Sequence, residues 1–87
     1  MYTCELRKSV EKIFFKLAKK NPNQLLIIEK KIGKIIQNPQ HYKNLRKPLQ
    51  HLKRVHIDKS FVLTFSVDEN NKKVIIEDYA HHDEIYV

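Results

Sequence analysis

Residues 52–79, LKRVHIDKSFVLTFSVDENNKKVIIEDY, decide the fold. Leu52–Ile57 alternates, with Arg54 and His56 on one face and Val55 and Ile57 on the other, the period of a strand with one solvated side. Phe61–Val67 is nearly continuous apolar, as in a central strand buried on both faces. Asp68-Glu69-Asn70-Asn71 reads as a turn, because Asn and Asp tolerate positive φ. Lys73–Tyr79 is then the last strand, and a short polar tail, residues 80–87, follows it.

Toward the N-terminus the period changes. Val10, Ile13, Phe14, Leu17 and Ala18 are spaced as one face of an amphipathic helix, with Ser9 placed to cap it. Asn21-Pro22 ends that helix and opens a second, Asn21 as the cap and Pro22 at the first helical position. Leu25, Ile28, Ile32 and Ile36 line the second helix, and Asn38-Pro39 closes it. So short a connection predicts an antiparallel helical hairpin. Tyr2–Leu6 is read as a first strand, and residues 40–51 as a polar, basic connection. The order β-α-α-β-β-β predicts one α+β domain over residues 1–87, its helices packed on one face of a mostly antiparallel four-stranded sheet. The expected core is Val10, Ile13, Phe14, Leu17, Leu25, Ile28, Ile32, Val55, Leu63, Phe65 and Ile76.

Charge narrows the partners. The net charge is +7, and it is unevenly placed: residues 1–59 carry 15 Lys/Arg against 4 Asp/Glu, residues 60–87 carry 2 against 6. A basic body of this kind attracts polyanions, chiefly nucleic acid or an acidic protein. No run of about 18 apolar residues exists to span a membrane. The N-terminus lacks a secretory pattern, and the one cysteine, Cys4, fits a reducing cytoplasm and an inert place in a strand core. No glycine-rich phosphate loop is present, which argues against nucleoside-triphosphate chemistry.

Two clusters offer chemistry: Lys47, Arg54 and His56 before and on one strand, and His81, His82 and Tyr86 after the last. Strand ends in a compact sheet converge, which would put both on one surface. RNA cleavage needs a base for the ribose 2′-hydroxyl, a stabiliser of phosphorane-like charge and an acid for the leaving 5′-oxygen. Imidazole serves as base or acid near neutrality, and Lys and Arg stabilise the charge. An aromatic such as Tyr86 can stack on a base. His41 and His51 read as solvated loop residues. No metal or other cofactor is expected: the spacing of Cys4, His81, His82 and Asp83 matches no standard metal pattern, and adjacent histidines point apart on an extended chain.

Asn38-Pro39, Leu45-Arg46-Lys47-Pro48-Leu49, Arg54-Val55-His56-Ile57, Phe61-Val62-Leu63-Thr64-Phe65 and the closing Ala80-His81-His82-Asp83-Glu84-Ile85-Tyr86 together resemble the layout of the RelE/ParE toxin superfamily. The third strand has Val62 where RelE proper usually has arginine, and Gln50 stands at a common glycine. His56, Ser60-Phe61 and His82 are closer to the YafQ-like branch, although Ser60 replaces its acidic residue. The resemblance implies the toxin of a type II toxin–antitoxin system, a cytoplasmic, metal-independent, ribosome-dependent messenger RNA endoribonuclease. It implies His82 and His56 as the acid–base pair, Lys47 and Arg54 on the phosphate, and Phe61 and Tyr86 against bases, with Arg46, Lys53 and His81 also contacting RNA. It further implies a RelB-type antitoxin as partner, beside the message and the ribosome. Two alternatives carry other implications: a ParE-like inhibitor of DNA gyrase that hydrolyses nothing, and a catalytically decayed RNA-binding homologue.

Overall fold

The structure is a computed structural model, and it describes residues 1–85. The chain runs β1 (Thr3–Leu6), α1 (Lys8–Lys20), α2 (Pro22–Gln37), a 3₁₀ turn (Pro39–His41), β2 (Lys53–Ile57), β3 (Phe61–Asp68), β4 (Lys73–His81) and α3 (His82–Ile85). The sheet order is β1-β4-β3-β2. The β2–β3 and β3–β4 pairs are antiparallel, and β1 joins β4 in parallel, so the sheet is mixed. No helix among the described residues is long and apolar enough to cross a membrane.

Local chemistry accounts for most boundaries. The Asn21 carboxamide oxygen accepts the Gln24 backbone N–H at 3.2 Å, and Pro22 fills the first turn, so α2 starts where the cap and the fixed proline φ dictate. Ser9 does not cap α1; the helix begins one residue before it, at Lys8, behind an extended Arg7 with no side-chain cap bond. Asn38 and Pro39 end α2 as expected.

Val55, Ile57, Leu63, Phe65, Val74, Ile76 and Tyr79 from the sheet pack with Val10, Ile28 and Ile35 from the helices into one buried cluster. Ile13, Phe14, Leu17, Leu25 and Ile32, expected in the core, are only half-buried. On α2 it is Ile35 that is fully buried, and Ile36 only half-buried. At about 100° per residue, seven steps from Ile28 return to the same face, whereas eight overshoot it. Cys4 is exposed rather than in the core, because β1 is an edge strand. Partial burial of the thiol still pushes its pKa up, which keeps it poorly nucleophilic. His41 and His51 are exposed.

In the β3–β4 pairing Thr64 faces Asp78 and Phe65 faces Ile76, which leaves Glu77 as the extra residue of a bulge. Its carboxylate accepts from Arg7 at 2.9 and 3.2 Å and from the Ser66 hydroxyl at 2.6 Å. The Arg7 guanidinium, aided by Ser66, holds the Glu77 carboxyl below the usual carboxylate range, against the opposing effect of partial burial. A depressed folded pKa contributes stability above the unfolded value, lost as pH falls through the folded one. Arg7 is about half-exposed, so solvent screening keeps the contribution small. Arg7→Gln is therefore expected to flatten the fall in melting temperature below about pH 4. Equal acid slopes in parent and variant would remove the pair from the acid response.

One polar atom of the core is orphaned. The Tyr79 hydroxyl is buried without a hydrogen-bond partner among the described residues. Burial, with Asp58 nearby, raises its pKa to about 12, so the phenol stays neutral. An unpaired buried hydroxyl costs about 1–3 kcal/mol. Tyr79→Phe is expected to raise the urea midpoint at unchanged slope; a lowered midpoint would show that the hydroxyl is satisfied in solution.

Candidate active site

A chain of rings leads from the core to the end of the sheet. Phe14 meets Tyr79 edge-on at 5.9 Å, Tyr79 stacks on Phe61 at 5.4 Å and 8°, and Phe61 meets the His81 ring edge-on at 5.5 Å. His81 and His82 then stack at 4.8 Å. The expectation that they point apart is corrected: β4 ends at His81 and the chain turns into α3 at His82, so strand alternation stops between them. The His82 backbone N–H donates to the Ser60 carbonyl at 2.9 Å, and its ring Nδ1 lies 3.2 Å from the same oxygen. Its Nε2 lies 3.0 Å from the Asp83 carboxylate. Both ring nitrogens thus face oxygens, so position and orientation are set by the β2–β3 turn and the tail together.

The second histidine sits at the same end of the sheet. Ile57, Phe61 and His81 form the last row of paired residues; His56, Val62 and Ala80 form the next; Arg54, Thr64 and Asp78 form one two residues farther along. His56 and Arg54 are exposed, while Val55 and Ile57 between and beside them are buried. Two strand spacings separate His56 from β4, roughly 10 Å across the sheet. Val62, at the position of the family's arginine, is fully buried between His56 and Ala80. It supplies no charge, and the exposed cations come from elsewhere.

Those cations flank a pocket of about 480 Å³ lined by Lys43, Asn44, Leu45, Arg46, Leu49 and Arg54. Three of the six lining residues are basic and none is acidic, and Leu45 and Leu49 add apolar surface. The loop that builds it is tied down beyond β2: Leu45 N–H donates to the Leu52 carbonyl at 2.8 Å, and Asn44 pairs with Lys53. Lys47 is exposed on the same loop but does not line the pocket. Arg54 joins the two regions, two residues from His56 and in the pocket wall. Tyr86 lies outside the described residues.

Lys53 is a correction. Expected to touch RNA, it is 7% exposed, with Nζ donating to the Tyr42 carbonyl and the Asn44 side-chain oxygen, each at 2.9 Å. It falls on the buried face of β2, in register with Phe65, and its ammonium braces the loop instead of facing solvent. Lys53→Met keeps the stem and removes both bonds. It should loosen residues 42–52, seen as faster amide exchange there, and lower the melting temperature; protection equal to the parent's would mean the loop holds without it. Lys43 and Leu49 enter the pocket without having been named as site residues, and Asp83, weighed from sequence only as a metal ligand, stands beside His82. Of the two pocket residues only Lys43 carried a signal, its place in a basic run with Arg46 and Lys47.

No family model matches the chain. A Methanocaldococcus jannaschii protein carrying the toxin name RelE4 is 59% identical over 86 residues, spanning 99% of this chain and 92% of its own length. The RelBE2 toxin–antitoxin complex from Mycobacterium tuberculosis matches at a TM-score of 0.75 and 22% identity, over 92% of this chain and 96% of that one. YafQ from Escherichia coli matches at 0.74 and 16% identity over the whole of both chains. Likeness at that identity speaks for the fold, and the 59% identity over nearly the full length speaks for kinship. This α+β chain belongs to the RelE/ParE superfamily of toxins.

Proposed function

We propose that this chain is the toxin of a type II toxin–antitoxin pair and a ribosome-dependent, metal-independent endoribonuclease that cuts messenger RNA. The observation that carries the reading is the placement of two imidazoles, His56 and His82, toward one end of the sheet, with Arg54 on the same exposed face of β2 as His56 and in the wall of the basic pocket. His56 would take the 2′-hydroxyl proton as the 2′-oxygen attacks phosphorus. His82, its Nε2 beside Asp83 and its Nδ1 beside the Ser60 carbonyl, would give a proton to the departing 5′-oxygen. The bond formed is P–O2′ and the bond broken is P–O5′, leaving a 2′,3′-cyclic phosphate and a 5′-hydroxyl. Arg54 and Lys47 would offset the charge that builds on the phosphoryl oxygens. Arg46 would bind the backbone, and the exposed edges of Phe61 and His81 would meet bases.

Kinship and surface both support an antitoxin of the RelB type. The similar Mycobacterium tuberculosis protein is a toxin held in a toxin–antitoxin complex. In this chain Phe15, Leu26 and Ile27 are exposed on a helical hairpin rich in lysine, a surface suited to an acidic amphipathic helix. The test is induction followed by primer extension on abundant messages, repeated with purified ribosomes in chelator. Cuts within translated codons, undiminished by chelator, are expected. Growth arrest with intact messages and altered plasmid supercoiling would replace this reading with gyrase inhibition.

A further inference from the structure

The turn from β4 into α3 gathers three metal-ligating side chains. One ligand atom each from His81, His82 and Asp83 lies within 4.8 Å of the others. The Asp83 carboxylate reaches both rings, with Oδ1 3.0 Å from His82 Nε2 and Oδ2 3.5 Å from His81 Nδ1. Ligands around a tetrahedral ion with bonds of about 2.0–2.1 Å stand roughly 3.3 Å apart. The two contacts, made by the two different carboxylate oxygens, bracket that spacing; the ligand atoms otherwise stand up to 4.8 Å apart, so an ion would draw them together.

His82 Nδ1 lies 3.2 Å from the Ser60 carbonyl, and a ring that keeps its proton on that side presents the Nε2 lone pair to Asp83, 3.0 Å away. His81 Nδ1 accepts the Asp83 backbone N–H at 3.3 Å, a long bond whose lone pair an ion would have to take over. A ring whose other nitrogen is held by a backbone carbonyl is the usual outer arrangement of a metal-binding histidine. The surrounding charge agrees: Glu84 is adjacent, and residues 60–87 carry 2 Lys/Arg against 6 Asp/Glu in an otherwise basic chain.

We propose that His81, His82 and Asp83 form a binding site for a divalent transition ion of the Zn²⁺ or Cu²⁺ class. Two imidazoles and one carboxylate suit such borderline ions and not Mg²⁺, which prefers all-oxygen shells. The side chains are substantially exposed, which leaves further coordination positions open to water or a phosphate oxygen. The ion uses the same His82 ring that the nuclease reading gives to proton transfer. Resting on that reading, the ion is an inhibitor of cleavage and not its cofactor, which is consistent with a cut that needs no metal.

The site itself is tested without any cleavage assay. Calorimetric titration of the full chain with Zn²⁺ should show one saturable site, and Mg²⁺ none. Asp83→Asn and His81→Gln should each weaken Zn²⁺ by at least about tenfold, the loss seen even for outer-shell partners. Both positions are at the surface, and circular dichroism checks that the variants stay folded. Stoichiometric Zn²⁺ should move the imidazole resonances of His81 and His82. Absence of saturable binding, equal affinity in the variants, or shifts at His51 or His56 instead would overturn the site. If Zn²⁺ binds as described and an active preparation still cuts RNA at saturation, the inhibitory role is overturned while the site stands. A preparation that never cuts RNA overturns the nuclease reading, and the inhibitory role with it.

Discussion

His82→Ala is expected to lower message cleavage by about 10²–10⁴-fold, the usual contribution of a lone general acid or base, and to relieve growth arrest accordingly. The side chain is about half-exposed, and its contacts are local: the Ser60 carbonyl, the Asp83 carboxylate and the stacked His81. Removing it opens no core cavity, and the backbone bond from His82 to Ser60 survives the substitution. The melting temperature should therefore move little, as for surface changes within about 0.5 kcal/mol. The comparison set is His56→Ala, His81→Ala and Tyr86→Ala, assayed side by side. His56→Ala should fall with His82→Ala. His81→Ala should lose less, since its ring is spent on Phe61 and the Asp83 N–H. A fully toxic His82→Ala beside an inactive His81→Ala would shift the acid to the neighbouring ring. If all four remained toxic, the histidine mechanism would be wrong.

Periodicity made most of this fold readable. Alternation in Leu52–Ile57 foretold that Arg54 and His56 would share an exposed face, and the unbroken apolar run after Phe61 foretold a central strand. Asn21-Pro22 and Asn38-Pro39 carried the helix limits because cap chemistry is local. What was not readable depends on contacts between distant segments. Thr3–Leu6 is too short and too mixed in pattern to announce that it pairs in parallel with β4. Lys53 reads as one more cation in a basic stretch. Only the folded loop, with the Tyr42 carbonyl and Asn44 turned toward it, converts it into a brace. The stacking of His81 on His82 hangs on where the strand stops, and strand ends depend on the Ser60 carbonyl 22 positions earlier in the chain. The candidate chemistry was thus visible as residue types, and its geometry was not.

Phe65→Ala should cost about 3–5 kcal/mol, the range for a large aromatic removed from a closed core. Phe65 is fully buried on the central strand, paired with Lys53 on one side and Ile76 on the other. The Tyr42 ring meets it edge-on at 5.8 Å, so the same side chain anchors the start of the loop that carries the basic pocket. At about 0.05–0.15 kcal/mol per residue, an 87-residue domain holds roughly 4–13 kcal/mol. The substitution therefore removes about a quarter or more of that stability. Phe14→Ala should cost less, because Phe14 is half-buried and touches Tyr79 only by its edge. Phe15→Ala, at a side chain that is 65% exposed, should be nearly neutral. Urea unfolding of the three variants gives the order directly. If Phe65→Ala proved no costlier than Phe14→Ala, the core would not be centred on β3. A Phe65→Leu variant, which keeps most of the volume, should recover much of the loss and restore protection of the 42–52 loop.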